Sequence, residues 1–556
     1  MLTRPIERRA AAEPLLRALP AGAALRPLND LDRGEQARLR QLAWCFVLVG
    51  LGLRAARYLL AFPLWCDEYQ LAANLLDRNL ADLLRPLDNN QVAPIGFLWV
   101  EWLVTRLMGF NEWSLRLFPL ACGMAALCLF HQLARRCLEG WTCLAAVALF
   151  SVSYYPLRLA CEVKPYSADL AFVLVVALLL LGRPGRPFAA RRAWLLAAAT
   201  PVGLLISYPS VFVLGAASAT IGLHILLAAR RGDWPRRGVL PAYLAFNVVL
   251  VGSFAGVMQL SAAAQYRSTA SEMLASWADA FPPWRQPWKL PVWFLRAHTS
   301  EIFAYPVGAE NGGSLLTAAA FALGCPALWR RGQGCVVLFQ AALFGLTMAA
   351  ACLERYPYGG HARLAQHLAP GICLIAAAGL GAALERFSRN GNVRWAFSGL
   401  LWACLALAVG IGMRDVARPY KDAVDFEHRS LARRLWSDPF PGATFSVNDQ
   451  LADGLYEASF DSAARCLWRA QHPFEHWPRQ GRVVQADGNL PLRCVVYHSA
   501  AARRAAGFDQ WLQEMSRHYR MLHACAYRVP LASHGRRGAD HYMQCYDVYY
   551  FEPLDP

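Results

Sequence analysis

APIGFLWVEWLVTRLM, residues 93–108, is the stretch on which the topology of the chain turns. It is apolar enough to invite reading as a membrane span. At sixteen residues, however, it falls short of the about 20 that a helix needs to cross the hydrocarbon. It also carries Glu101, Thr105 and Arg106, which are costly in lipid. Trp99 and Trp102 suit a membrane–water interface instead, so we read the segment as a helix lying on the membrane surface.

Outward from this segment, apolar runs near spanning length occur at 42–62, 115–134, 141–156, 166–182, 193–207, 210–229, 239–259, 313–329, 334–351, 368–384 and 395–413. A chain of 556 residues that is 56% hydrophobic and only 17% charged cannot hide that surface in one water-soluble core, so the expected class is a mainly α, polytopic membrane protein of about 11 spans. With 93–108 outside the count and the N-terminus inside, the segments 1–41, 135–140, 183–192, 230–238, 330–333 and 385–394 hold 23 Arg and Lys, against 11 in the longer opposite-side loops. The positive-inside rule favours that arrangement. Counting 93–108 as a span would put the arginines of 134–136 and 189–192 outside. The net charge of +16 is then a topology signal beside anionic membrane lipids, and no nucleic-acid partner is expected.

Three parts follow: a basic cytoplasmic tail at 1–41 without a removable signal peptide, a membrane domain at 42–413, and a small extracytoplasmic domain at 414–556. The last mixes strand-like runs (ATFSVND, RCVVYHSA, CAYRVP, CYDVYYFE) with a helical pattern at 508–523, which predicts a mixed α/β fold. Its four cysteines, Cys466, Cys494, Cys525 and Cys545, could form two disulfides in an oxidising compartment. Within the first span, Arg54 and Arg57 are expected to snorkel toward headgroups. His131 and His224 read as packed or helix-end residues, and Asp169 as a helix-end acid.

Directly after the first span, FPLWCDEYQ (62–70) carries adjacent carboxylates, Asp67 and Glu68, in an outer loop. The same topology puts three further polar segments on that side: LACEVKPYS with Glu162 and Lys164, the long loop 260–312, and ERYPYGGHAR with Arg355, Tyr356, His361 and Arg363. Carboxylates and cations at one membrane face suit sugar transfer from a polyprenyl phosphate. A carboxylate takes the proton of the incoming nucleophile, and cations or a metal stabilise the leaving phosphate. The rival class is a secondary transporter or flippase, which places its ionisable groups near the bilayer midplane. Asp169 is the one acid within the eleven runs.

The Asp-Glu pair, QVAP (91–94), WSLRLFPL (113–120) and EVKPYS (162–167) together resemble the GT-C-fold membrane glycosyltransferases, which include protein O-mannosyltransferases and lipid A aminoarabinose transferases. SYPSVFVL (207–214) and ERYPYGGHARLAQHLAP (354–370) extend the resemblance more weakly, and the C-terminal domain matches no motif. The resemblance implies a transfer that inverts the anomeric carbon, with a polyprenyl-phosphate sugar as donor and a lipid, polysaccharide or protein as acceptor. It implies that Asp67 is the catalytic base and that Glu68 positions acceptor or metal. It also implies that Glu162 is a second-loop acid, with Lys164, Arg355, Tyr356, His361 and Arg363 at the donor phosphate. A divalent metal ion is admitted, with Asp67 and Glu68 as its candidate ligands. The expected location is the bacterial inner membrane, with the site on the extracytoplasmic face.

Overall fold

The computed structural model describes residues 33–88, 90–181, 188–230, 232, 238–308, 312–387, 393–419, 440–446, 490–498, 508–530 and 543–554. It is a mainly helical protein with a small sheet near its C-terminal end. Each of the eleven apolar runs is helical. The first half comprises α1 (Arg33–Leu59), α2 (Cys66–Asp77), α3 (Ile95–Met108), α4 (Glu112–Cys137), α5 (Gly140–Val152), α6 (Tyr154–Arg158), α7 (Tyr166–Leu180) and α8 (Ala190–Ile206). The second comprises α9 (Ser210–Arg230), α10 (Val239–Val257), α11 (Ala263–Ser276), α12 (Leu290–Thr299), α13 (Gly313–Arg330), α14 (Gly334–Cys352), α15 (Ala369–Phe387) and α16 (Val393–Ala417).

Seven helical segments among the described residues are long and apolar enough to cross a membrane, and the pair α5–α6, bent by 53°, would make an eighth. The chain is thus an integral, multi-pass membrane protein. Of the remaining runs, α7 and α8 are shorter, and α13 is less apolar. Two expected boundaries move. Helix α1 starts nine residues before the apolar run, at Arg33. The span expected to end at 259 continues through a π-turn at Met258–Ala262 into α11, so the first part of the 260–312 loop is helical.

The fourteen residues of α3 reach about 21 Å at ~1.5 Å per residue, short of the ~30 Å hydrocarbon. Glu101 and Thr105 are buried against the protein, while Trp99 and Trp102 donate their indole N–H groups to the carbonyls of Leu80 and Arg78. The helix is thereby tied to the segment that follows α2. Elsewhere the bundle packs through small residues. At the crossing of α13 and α15, a Cβ on Gly324 would overlap the carbonyl of Ile375, and one on Gly379 that of Ala320. Apolar membrane helices gain from such close backbone approach because lipid offers no hydrophobic drive between them.

Arg54 and Arg57 do not snorkel. Arg54 is fully buried and donates to the carbonyls of Gly50 and Ser151, and Arg57 is 2% exposed and paired with Asp415 at 2.7 Å. Protein acceptors on α1, α5 and α16 replace the headgroups they were expected to seek. His131 is buried against Trp44, and Asp169 sits in the first turn of α7.

The C-terminal strands are β1 (Ala443–Ser446), β2 (Leu492–His498), β3 (Tyr519–Pro530) and β4 (Met543–Pro553), in the order β1-β2-β4-β3. Strand β1 runs parallel to β2, and the other pairs are antiparallel. The helix expected over 508–523 is shorter, α17 (Phe508–Met515); a turn at Ser516–His518 releases the chain into β3, where pairing with β4 overrides the helical pattern. Cys494 and Cys525 are free thiols, Cys494 buried in the sheet, and Cys466 lies outside the described residues.

Candidate functional site

The chain leaves α1 through Ala61, whose φ of 43° breaks the helix, and runs extended before turning into α2 at Cys66. Asp67 and Glu68 therefore occupy the first turn of a helix and not a loop as expected. Carboxylates are stabilised there by the helix dipole, and Glu68 accepts from the Trp65 N–H at 3.2 Å. Adjacent positions on a helix face about 100° apart, and the two acids consequently meet different surroundings.

Glu68 is fully buried. Its carboxylate takes both Nε and Nη2 of Arg116, at 3.0 and 2.7 Å, and the backbone N–H of Val163 at 2.9 Å. Arg116 also donates to the carbonyls of Phe62 and Pro63 and lies over the Phe62 ring at 3.7 Å. It is placed by the N-cap of α4, where Asn111 accepts from the N–H groups of Trp113 and Ser114 and the Ser114 hydroxyl accepts from the Asn111 N–H. The pair clamps the first turn of α2 to α4 and to the segment entering α7.

Asp67 faces a more open space. Its Oδ2 lies 2.8 Å from Nη1 of Arg363, the side chains being 27% and 15% exposed. The guanidinium of Arg363 sits between the rings of Trp277 and Trp65, at 5.0 and 5.7 Å. Its Nε is buried, with no hydrogen-bond partner among the described residues. The loop that delivers it turns at Gly359 and Gly360, both at positive φ that favours glycine, and enters a 3-10 segment at Ala362–Leu368. His361 caps that segment by accepting the Arg363 N–H on Nδ1, and Glu301 accepts from the Ala362 N–H and the Tyr155 hydroxyl.

Lys164 closes the cluster. Its Nζ donates to Gln91 at 2.6 Å, and Gln91 in turn donates to Gln70 on α2. Burial lowers the Lys164 pKa below the usual lysine value; Asp67 opposes that shift, Arg363 adds to it, and Glu162 and Glu68 oppose it more weakly. The QVAP turn is held from α11: Gln265, fully buried, accepts from the Ala93 N–H and from the Tyr208 hydroxyl.

Among the sequence-predicted residues, then, Asp67, Glu162, Lys164 and Arg363 share one electrostatic environment, and His361 shapes the loop beneath it. Two others stand apart. Arg355 is exposed and stacks on Tyr266 at 4.9 Å, and Tyr356 donates to the Leu364 carbonyl and packs edge-on against Phe212. Glu68 cannot offer a metal the lone pairs already given to Arg116 and two N–H groups, and among the described residues no three His, Cys, Asp or Glu group as metal ligands. The Asp67–Glu68 pair therefore does not fit a divalent ion. Sequence reasoning missed Arg116, Gln91, Gln265, Glu301 and Trp277. Arg116 and Gln91 lie inside motifs it had noted, whereas Gln265, Glu301 and Trp277 carry no local signal.

The chain resembles GT-C-fold membrane glycosyltransferases. Residues 92–254 match the family described as dolichyl-phosphate-mannose-protein mannosyltransferase. The match includes Glu162 and Lys164 and leaves Asp67 and Arg363 outside. No curated protein matches the chain by sequence. Among solved structures, ArnT from Cupriavidus metallidurans in the apo state aligns with a TM-score of 0.49 and 14% identity over 91% of this chain and 97% of its own. The oligosaccharyltransferase AglB of Archaeoglobus fulgidus, in complex with an inhibitory peptide and a dolichol-phosphate, aligns with a TM-score of 0.44 and 11% identity over 78% and 64%.

Proposed function

We propose that the protein is a membrane glycosyltransferase that moves a sugar from a polyprenyl phosphate to an envelope or protein acceptor, with Asp67 as general base. The observation that carries this reading is the meeting of Asp67, Lys164 and Arg363, drawn from three distant parts of the chain, at one end of a helical bundle. The family match over 92–254 supports it.

Arg363 fixes the Asp67 carboxylate through a charged hydrogen bond to its Oδ2. The carboxylate takes the proton of the acceptor O–H or N–H as that atom attacks the anomeric carbon. The bond from that carbon to the phosphate oxygen breaks in the same displacement, inverting the configuration and releasing polyprenyl phosphate. The second negative charge that develops on the phosphate is met by Lys164 and by the unspent Nε of Arg363. Glu68 and Arg116 hold α2 in place and touch neither reactant. Glu162 tunes Lys164 from the next-but-one position.

On the charge-derived topology the site faces the extracytoplasmic side of a bacterial inner membrane. The test is the inventory of lipid-linked sugars and envelope glycans in a strain lacking the protein. One polyprenyl-phosphate sugar should accumulate while one glycan, lipid or protein loses that sugar. Unchanged glycans would overturn the reading, as would a purified protein that carries the sugar across vesicles without forming a glycosidic bond.

A further inference from the structure

A second polar cluster lies where α1, α6 and α16 meet, apart from Asp67, Lys164 and Arg363. The hydroxyl of Tyr154 accepts hydrogen bonds from two arginines 256 residues apart in sequence, Arg158 and Arg414, each at 2.8 Å. Their guanidinium carbons stand 5.2 and 5.4 Å from its ring. Arg57 is the third cation; among the described residues Asp415 is the carboxylate paired with this cluster, and it binds Arg57. The Arg57 Nε is buried without a hydrogen-bond partner among the described residues. Three guanidiniums against one carboxylate, two of them sharing a neutral oxygen, leave a positive excess that Coulomb repulsion penalises until an anion arrives. Guanidinium forks match phosphate oxygens in geometry and charge.

Beside this cluster runs an apolar cleft of about 610 Å³ between α1 and α16, lined by Val49, Leu53, Leu405, Val409, Gly412 and Met413. Arg57 follows Leu53 by four residues, and Arg414 and Asp415 lie between the cleft-lining Met413 and Val416, so the charged cluster flanks one end of the cleft. An anionic head and an apolar tail would thus be served side by side. Val409 and Met413 are 55% and 69% exposed, opening the cleft toward the surroundings of the bundle, where phospholipid is the prevailing solvent.

We propose that this is a binding site for an anionic glycerophospholipid, its phosphate on Arg158 and Arg414 and one acyl chain in the α1–α16 cleft. Basic pockets between transmembrane helices bind lipid headgroups by the same forces. The site also touches the frame of the candidate active site: Arg57 lies over one ring, Phe62, at 4.3 Å, and Arg116 lies over the same ring at 3.7 Å.

Native mass spectrometry of the purified full-length protein, titrated separately with phosphatidylglycerol, phosphatidylethanolamine and undecaprenyl phosphate, tests the proposal. The expected result is one phosphatidylglycerol bound at least tenfold more tightly than phosphatidylethanolamine and not displaced by one equivalent of undecaprenyl phosphate, which has its own place at Lys164 and Arg363. Arg414→Gln, at an exposed position, should weaken phosphatidylglycerol about tenfold and leave phosphatidylethanolamine unchanged. Gly412→Leu fills the cleft without altering charge, since a Cβ there already lies 3.3 Å from Leu53, and should weaken it comparably. Equal binding of the two phospholipids, displacement of bound phosphatidylglycerol by one equivalent of undecaprenyl phosphate, or unaltered phosphatidylglycerol affinity in both variants at an unchanged elution profile would each overturn it.

Discussion

Asp67 and Glu68 are neighbours in sequence, each paired with an arginine, yet the two pairs inhabit different regions. Glu68–Arg116 lies in the sealed junction of α2 and α4, at 0% and 1% exposure; Asp67–Arg363 is partly open, at 27% and 15%. The closed pair has every carboxylate oxygen engaged, whereas the open one keeps an arginine Nε in reserve. Identical chemistry is therefore divided by burial into a clamp and a partly open pair, the one to which the proposed function assigns the base. A buried pair is worth most when one partner is removed, since the other is left as an uncompensated charge. An accessible carboxylate can be neutralised with little structural cost, and its loss shows in the chemistry.

The sharpest way to break this comparison is Asp67→Asn. It should lower transfer from a matched polyprenyl-phosphate sugar by a factor on the order of 10²–10⁴, the usual share of a general base, with donor binding and thermal stability near wild type. Full activity would remove Asp67 as the base. Arg116→Met comes next: it leaves Glu68 charged and unpaired and should destabilise the protein by about 3–5 kcal/mol, read as a lowered melting temperature in detergent. The double variant Arg116→Met with Glu68→Leu should recover much of that loss, because an apolar pair removes the stranded charge. A catalytic Glu68 would show instead as lost turnover in a protein of normal stability.

Lys164→Gln should weaken donor binding roughly tenfold to hundredfold, corresponding to the ~1.5–3 kcal/mol of a charged hydrogen bond. Because the Lys164 pKa is lowered, its cation is lost as pH rises through a value below the ~10.4 of an ordinary lysine. Wild-type donor affinity should fall with rising pH in that range, and Lys164→Gln should flatten the fall. The smallest effect belongs to Arg355→Gln. Its exposed stacking on Tyr266 is worth about 0.5–1 kcal/mol, and donor kinetics should stay within about twofold of wild type. A large kinetic loss there would bring Arg355 back to the donor phosphate.

What could be read from the sequence divides along similar lines. The helical runs were legible because a bilayer demands long apolar stretches; the Asp67–Glu68 pair was conspicuous because it directly follows the first such stretch, but its place in the first turn of α2 was not. Arg116 stood in plain view within WSLRLFPL, yet an arginine inside a span announces only that some partner exists. Its partner lies 48 residues earlier, beyond any local pattern. Gln265 and Glu301 act by holding backbone N–H groups of other segments, Ala93 and Ala362, and no spacing in the chain records such contacts. The end of α17 was misplaced because pairing with β4 decides where β3 begins, and pairing is a property of two strands.

The 296 residues between Asp67 and Arg363 also set an order in time. At a ribosomal rate of about 5–20 residues per second, Arg116 follows Glu68 out of the tunnel within roughly 2–10 s, while Arg363 follows Asp67 only after roughly 15–60 s. The clamp can close while the early helices are still entering the membrane. The candidate site acquires Arg363 only when α14 has been made and α15 is about to follow, so a chain stalled anywhere before that point holds α2 in place with Asp67 still lacking its arginine.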